Sequence, residues 1–181
     1  MLVDERTKEL ETAQMQNRLI LDSAGEGVFG LNTQGEVTFC NLSASQMLGY
    51  DTEELLGVSM HKAVHYAHKD GSDYPKDVCP MRAAFTEGKV HQVKDEVLWR
   101  KDGSCFPVEY TATPIERKGE LLGAVVVFRD ITEQKQFSQA LMEAKEHAEE
   151  QQQELLRLVN GLPLPTALFD PEGDVLAINS I

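Results

Sequence analysis

An α+β domain on a single antiparallel sheet is the fold class this sequence predicts. Three observations predict it: two short apolar runs separated by turn residues, a stretch of short capped helices, and three longer strand patterns in a meander. Long polar segments with helical periodicity precede and follow these elements.

Gly27 to Leu31 and Glu36 to Cys40 read as the first two strands, with Asn32-Thr33-Gln34-Gly35 as the turn between them. A short helix follows, for which Ser43 with Gln46 supplies a capping pattern and Gly49 a stop. Asp51 with Glu54 repeats the device, and Gly57 ends that second helix. In the meander, Val93, Asp95, Val97 and Trp99 are placed on one face of the first strand, and Phe106, Val108, Tyr110 and Ala112 on one face of the second. Lys101-Asp102-Gly103-Ser104 is the hairpin turn between them. Leu121 to Arg129 is almost continuously apolar, which predicts a strand at the centre of the sheet.

The flanks divide the chain further. Residues 1–22 carry Val3, Leu10, Ala13 and Ile20 at heptad-like spacing, with polar Arg6 and Asn17 between them, and read as a helix that dimerises or packs on its own domain. The sheet domain occupies 23–130. Residues 131–162 follow as a helix with Phe137, Leu141, Ala144, Ala148, Gln151, Leu155, Leu158 and Leu162 alternately four and three apart. That is a coiled-coil seam with one polar position to fix register, or else a linker helix, since such helices are marginal alone. Beyond it, Phe169-Asp170-Pro171-Glu172-Gly173-Asp174-Val175 echoes Leu31-Asn32-Thr33-Gln34-Gly35-Glu36-Val37, and Asn179 echoes Asn41. Residues 163–181 are therefore expected to begin a second copy of the domain, and the chain to be a piece of a larger protein.

Composition excludes several classes. Thirty acidic against 17 basic residues give a net charge of -13, which opposes contact with nucleic acid or anionic lipid. Cys40, Cys79 and Cys105 are odd in number and widely spaced, which argues against a disulfide framework and for a reducing, cytoplasmic setting. The longest apolar run, Leu121 to Phe128, is far below the ~18 residues that suggest a membrane span, and charged residues near the start rule against a signal peptide.

Taken in order, several motifs resemble the PAS family of sensor domains with its C-terminal PAC portion, over about Arg18 to Gln136. They are Asp22-Ser23-Ala24, Asn41, Leu48-Gly49-Tyr50 with Glu53-Glu54-Leu55-Leu56-Gly57, Trp99-Arg100-Lys101-Asp102-Gly103-Ser104, and Phe128-Arg129-Asp130-Ile131-Thr132-Glu133. The resemblance implies a five-stranded antiparallel sheet with short helices on one face, flanked by coiled-coil-type helices. It also implies that Asp130, Ile131 and Thr132 couple the sheet to the outgoing helix. From the residues alone, Asp130 and Glu133 form a capping-box pattern, and a plain helix cap is the simpler role. By resemblance the chain is expected to be a sensory module of a bacterial histidine kinase, a parallel homodimer beside further PAS and effector domains. The alternatives are the input domain of a diguanylate cyclase or phosphodiesterase, and a PAS domain that binds only protein.

The unusual stretch is His61 to Met81, which the resemblance places as a lid over the cavity. His65, His68, Tyr74, Cys79 and Trp99 are its candidate pocket residues. His65, His68 and Cys79 offer imidazole and thiolate to zinc or iron, one ligand short of a closed structural site. Haem-binding PAS domains use a histidine in this region, so His65 or His68 is the haem candidate. Cys79 before Pro80 sits where a helix starts, a place that can activate a thiol. A hydrogen-bonded lid with a buried cysteine is the plain reading. The Asn-Cys-Arg-Phe-Leu-Gln stretch of the flavin-adduct subclass is missing, as are a phosphate loop, a kinase phosphoacceptor box and a supported Ser/His/Asp set. The chain is therefore not expected to be an enzyme by itself.

Overall fold

The computed structural model describes residues 15, 16, 19, 25–161 and 167–178. Strands β1 (Gly27–Asn32) and β2 (Val37–Cys40) form the opening hairpin. Asn32 closes its turn by accepting the amides of Gln34 and Glu36 on Oδ1, both at 2.9 Å. Three longer strands complete the sheet: β3 (His91–Trp99), β4 (Cys105–Arg117) and β5 (Glu120–Asp130). The strand order is β2-β1-β5-β4-β3, and the four pairings are antiparallel. The apolar run is thus central, as its composition requires. Gly123 interrupts it because a Cβ there would lie 1.9 Å from the carbonyl oxygen of Leu31 on β1.

Helices α1 (Leu42–Leu48), α2 (Thr52–Leu55), α3 (Met60–Val64) and α4 (Pro80–Glu87), with a 3₁₀ turn at Lys76–Val78, lie between β2 and β3. They join the sheet in one core: α1 packs on β1, α3 on β3, and α4 on β3, β4 and β5. Phe106, Val108, Tyr110 and Ala112 are all buried, so the alternation along β4 reads correctly. Asp51 and Glu54 make the expected reciprocal capping box of α2.

Two local expectations are corrected. The cap of α1 is Asn41, two residues before Ser43. Its buried amide accepts from Val28 N and Ala44 N and donates to the Glu26 carbonyl, tying the helix start to β1. Along β3, a register shift falls between Val93 and Glu96. Val93, Glu96 and Leu98 pair with Tyr110, Val108 and Phe106, so Val93 does not share a face with Asp95, Val97 and Trp99. The extra residue of a bulge reverses the parity of everything beyond it.

A long helix, α5 (Thr132–Asn160), follows β5. Its 29 residues span about 44 Å at 1.5 Å per residue. Strands β6 (Ala167–Phe169) and β7 (Val175–Ile178) form a separate antiparallel hairpin. Its turn repeats two backbone hydrogen bonds of the first hairpin. Asp170 N donates to Asp174 O as Asn32 N does to Glu36 O, and Gly173 N to Asp170 O as Gly35 N does to Asn32 O. Both glycines have positive φ, 96° and 80°. Met15, Gln16 and Leu19 are helical, while Val3, Leu10, Ala13 and Ile20 of the expected N-terminal seam lie outside the described residues, as do Leu162 and Asn179. No described helix is long and apolar enough to cross a membrane.

Asn41→Ala strips a helix cap and leaves the buried Val28 amide without its acceptor. A loss of about 2–4 kcal/mol is expected from those two costs together. Urea unfolding measures it, and an unchanged midpoint would mean that Asn41 does not clamp α1 to β1.

Candidate functional site

Helix α3 carries His61 in its first turn and ends at His65, one turn later on the same face. His65 is fully buried. Its Nδ1 lies 3.2 Å from Cys79 Sγ, and its Nε2 lies 2.8 Å from Glu96 Oε2. Cys79 is buried and stands as the N-cap of α4, with Pro80 preset for the first helical turn. Glu96 reaches the cluster because the β3 bulge points it inward. There it also accepts from Tyr74 Oη at 2.6 Å and Tyr110 Oη at 2.7 Å. Three donors on one carboxylate is the pattern that keeps a buried charge tolerable.

The charges follow from these contacts. Burial opposes a charge on His65, but the thiol and the Glu96 carboxylate outweigh it and raise the imidazole from 6.5 to about 9. Burial also opposes the charge of Glu96, yet His65, Tyr74 and Tyr110 hold it below the usual carboxylate range. Desolvation and the neighbouring Glu96 push both tyrosine hydroxyls well above their ordinary range. Burial, then repulsion from His65, holds His61 below the usual histidine range.

The structure brings together His65, Tyr74 and Cys79 from the sequence-predicted set, and leaves His68 outside. His68 lies past the end of α3, exposed, with its ring 4.4 Å from that of Tyr74. It lines an open cleft of about 470 Å³ that borders the cluster along β3. Trp99 sits apart from the cluster and holds the lid: its indole N–H donates to Ala67 O at 2.8 Å and its ring packs on Tyr66. Sequence reasoning missed Glu96, Tyr110 and His61. His61 Nε2 lies 3.0 Å from the Tyr74 carbonyl oxygen, while its Nδ1 is buried with no hydrogen-bond partner among the described residues. Between lid and sheet, Leu31, Met60, His61, Cys79 and Phe85 line a cavity of about 20 Å³. That admits one water and lies far below the ~300 Å³ of small-molecule pockets.

A second constellation lies at the exit of the sheet. Asp130 Oδ1 accepts the amide of Thr132 at 2.8 Å and also its hydroxyl, so it holds the first residue of α5 directly. The other carboxylate oxygen accepts from Arg100 Nη2 at 3.1 Å. Arg100 also donates from Nε to Met47 O at the end of α1 and lies over the Phe106 ring at 4.1 Å. Ile131 N donates to Pro107 O on β4.

Residues 25–133 match the PAS domain family, and the chain belongs to it. It is 29% identical over 145 residues to the probable diguanylate cyclase DgcE of Escherichia coli strain K12, an alignment covering 77% of this chain and 13% of that protein. It is 26% identical over 144 residues to the signal transduction histidine-protein kinase AtoS of the same strain, covering 79% and 22%. Among solved structures, it resembles the PAS domain of an HTR-like protein from Haloarcula marismortui, with a TM-score of 0.56 and 22% identity over 71% of this chain and 99% of that one. The chain spans less than a quarter of the length of the two curated relatives. PAS sensory modules of this type thus occur in proteins of both the cyclase and the kinase kind.

In metal-free protein, the His65 charge stabilises the fold fully below pH 6.5, and that stability is lost as pH rises through about 9. The Glu96 charge contributes above about pH 4.3 and is lost as pH falls through its lower folded value. Thermal melting in chelator should therefore fall between pH 6.5 and 9, and Glu96→Gln should flatten that alkaline decline. A wild-type melting temperature that is flat over this window would contradict a charged His65.

Proposed function

We propose that this chain is the sensory and relay module of a bacterial two-component histidine kinase. In this reading it works in the cytoplasm as a parallel homodimer, and a second PAS domain begins at about residue 163. The observation that carries the relay is Asp130, which holds Arg100 with one oxygen and Thr132 with the other. Glu96 and Arg100 lie four residues apart on β3 and the turn after it, so a change under the lid reaches Arg100 along one strand. Arg100 passes it to Asp130, and Asp130 to the start of α5.

The dimer is supported by the surface of α5. Phe137, Leu141 and Leu158 are 72%, 62% and 65% exposed, and Ala144, Ala148, Gln151 and Leu155 are exposed too. This is the predicted seam, an apolar stripe that a second α5 would cover. The repeated turn geometry of the β6–β7 hairpin supports the second PAS copy. The likeness to DgcE favours a second reading, input to a diguanylate cyclase, with the same relay and a different effector.

Leu141→Lys or Leu155→Lys should convert the dimer to monomer in light scattering, and an unchanged dimer would place the interface off this stripe. In the full-length protein, Asp130→Asn should change basal output several-fold while the PAS domain stays folded. Autophosphorylation from ATP and cyclic dinucleotide synthesis from GTP separate the two effectors. Unaltered output in the active assay would remove Asp130 from the relay.

A further inference from the structure

His61, His65 and Cys79 present ligand atoms that all lie within 4.8 Å of one another. We infer that they form a binding site for a divalent transition-metal ion of the zinc type, with one coordination position left for water.

The donor set comes first. Two imidazoles and a thiolate suit zinc and its soft-to-borderline neighbours, and three protein ligands leave a tetrahedral ion one open position. The two histidines stand four residues apart, one in the first turn of α3 and one capping its end, so both rings lie on the same side of that turn. Cys79 meets them from the start of α4, so the site bridges two lid elements.

Ring orientation is the second argument. His61 Nε2 faces the Tyr74 carbonyl oxygen, which only accepts, so that nitrogen carries the proton and Nδ1 is bare. This bare nitrogen is buried and unpartnered, a state that costs free energy unless something occupies it. His65 Nε2 faces the Glu96 carboxylate, which again directs Nδ1 toward the sulfur. A carbonyl or carboxylate behind each ring is the outer shell that metal-bound histidines carry. Glu96 is itself held by Tyr74 and Tyr110, so that shell is rigid.

The dimensions fit. Zinc bonds of ~2.3 Å to sulfur and ~2.0–2.1 Å to nitrogen put tetrahedral nitrogen and sulfur ligands about 3.5 Å apart. The His65–Cys79 separation is 3.2 Å, so those two need move only a few tenths of an ångström. All three ligand atoms already lie within 4.8 Å of one another, so the half-buried His61 has little more than an ångström to close. The cavity of about 20 Å³ lined by both His61 and Cys79 has room for the single water of the open position. On binding, the proton along the His65–Cys79 line leaves to solvent with any other proton on those two atoms, and the metal takes its place.

The inference is independent of the relay, since the metal can be absent with Asp130 still coupling sheet to helix. The test is titration of the chelator-treated chain with Co²⁺, whose colour reports its ligands. One equivalent should bind, with a thiolate-to-cobalt charge-transfer band in the near ultraviolet, and Zn²⁺ should displace it. Cys79→Ser should abolish that band, and Cys105→Ser should leave it intact. His61→Gln should weaken binding by at least tenfold, and Glu96→Gln by about 10- to 100-fold, the range for outer-shell partners. Circular dichroism checks that each variant folds. If Cys79→Ser does not fold, the half-buried His61→Gln decides. Absence of binding to the wild-type chain, a band that survives Cys79→Ser, or affinity unchanged in folded His61→Gln each overturns the site.

Discussion

A carboxylate brought under an apolar lid must find donors, and Glu96 is brought there by the bulge in β3. Left bare, it would cost several kcal/mol. The chain answers from three separate places: His65 at the end of α3, Tyr74 from the loop after it, and Tyr110 from β4. Cys79 joins through His65, which fixes the start of α4. The lid is therefore docked by a charge as much as by the apolar side chains beneath it. A lid held only by Leu and Phe contacts would slide over many near-equal packings. One held by directed bonds to a single carboxylate has a single seat.

Much of the fold was legible because it is written in period and punctuation. The β4 alternation, the apolar β5 run and the Asn32–Gly35 turn each follow from neighbouring residues alone. What was not legible depends on partners far along the chain. Asn41 and Ser43 are both good caps locally. Asn41 prevails because its amide also satisfies Val28 and Glu26, some 13 to 15 residues earlier.

The site shows the same division. Lys94, Asp95 and Glu96 are all polar, so nothing local marks the extra residue that turns Glu96 inward. His68 groups with His65 and Cys79 on ligand chemistry alone, without regard to helix position. Helix α3 ends before His68, which leaves that side chain exposed and outside the cluster. His61, at i−4, is inside the helix and keeps its place. At the start of α5, Asp130 accepts both the amide and the hydroxyl of Thr132, a contact that the Asp130–Glu133 spacing does not point to.

Arg100 shows why the exit of the sheet needs a guanidinium. One planar group bonds the end of α1, bonds Asp130 and covers Phe106. A lysine ammonium has the charge but not the fork, and could not meet all three demands at once.

The unbroken run of α5 has a geometric consequence for how such chains can vary. Its 29 residues contain no glycine or proline, the residues at which helices most often kink. Each residue adds about 100° of winding, so removing one swings the far end to a different side, whereas removing seven returns it to within about 20°. If α5 carries the proposed relay, length changes that conserve it should come in sevens. Under the proposed relay, the number of residues in α5 would set the phase of its far end whatever their identities.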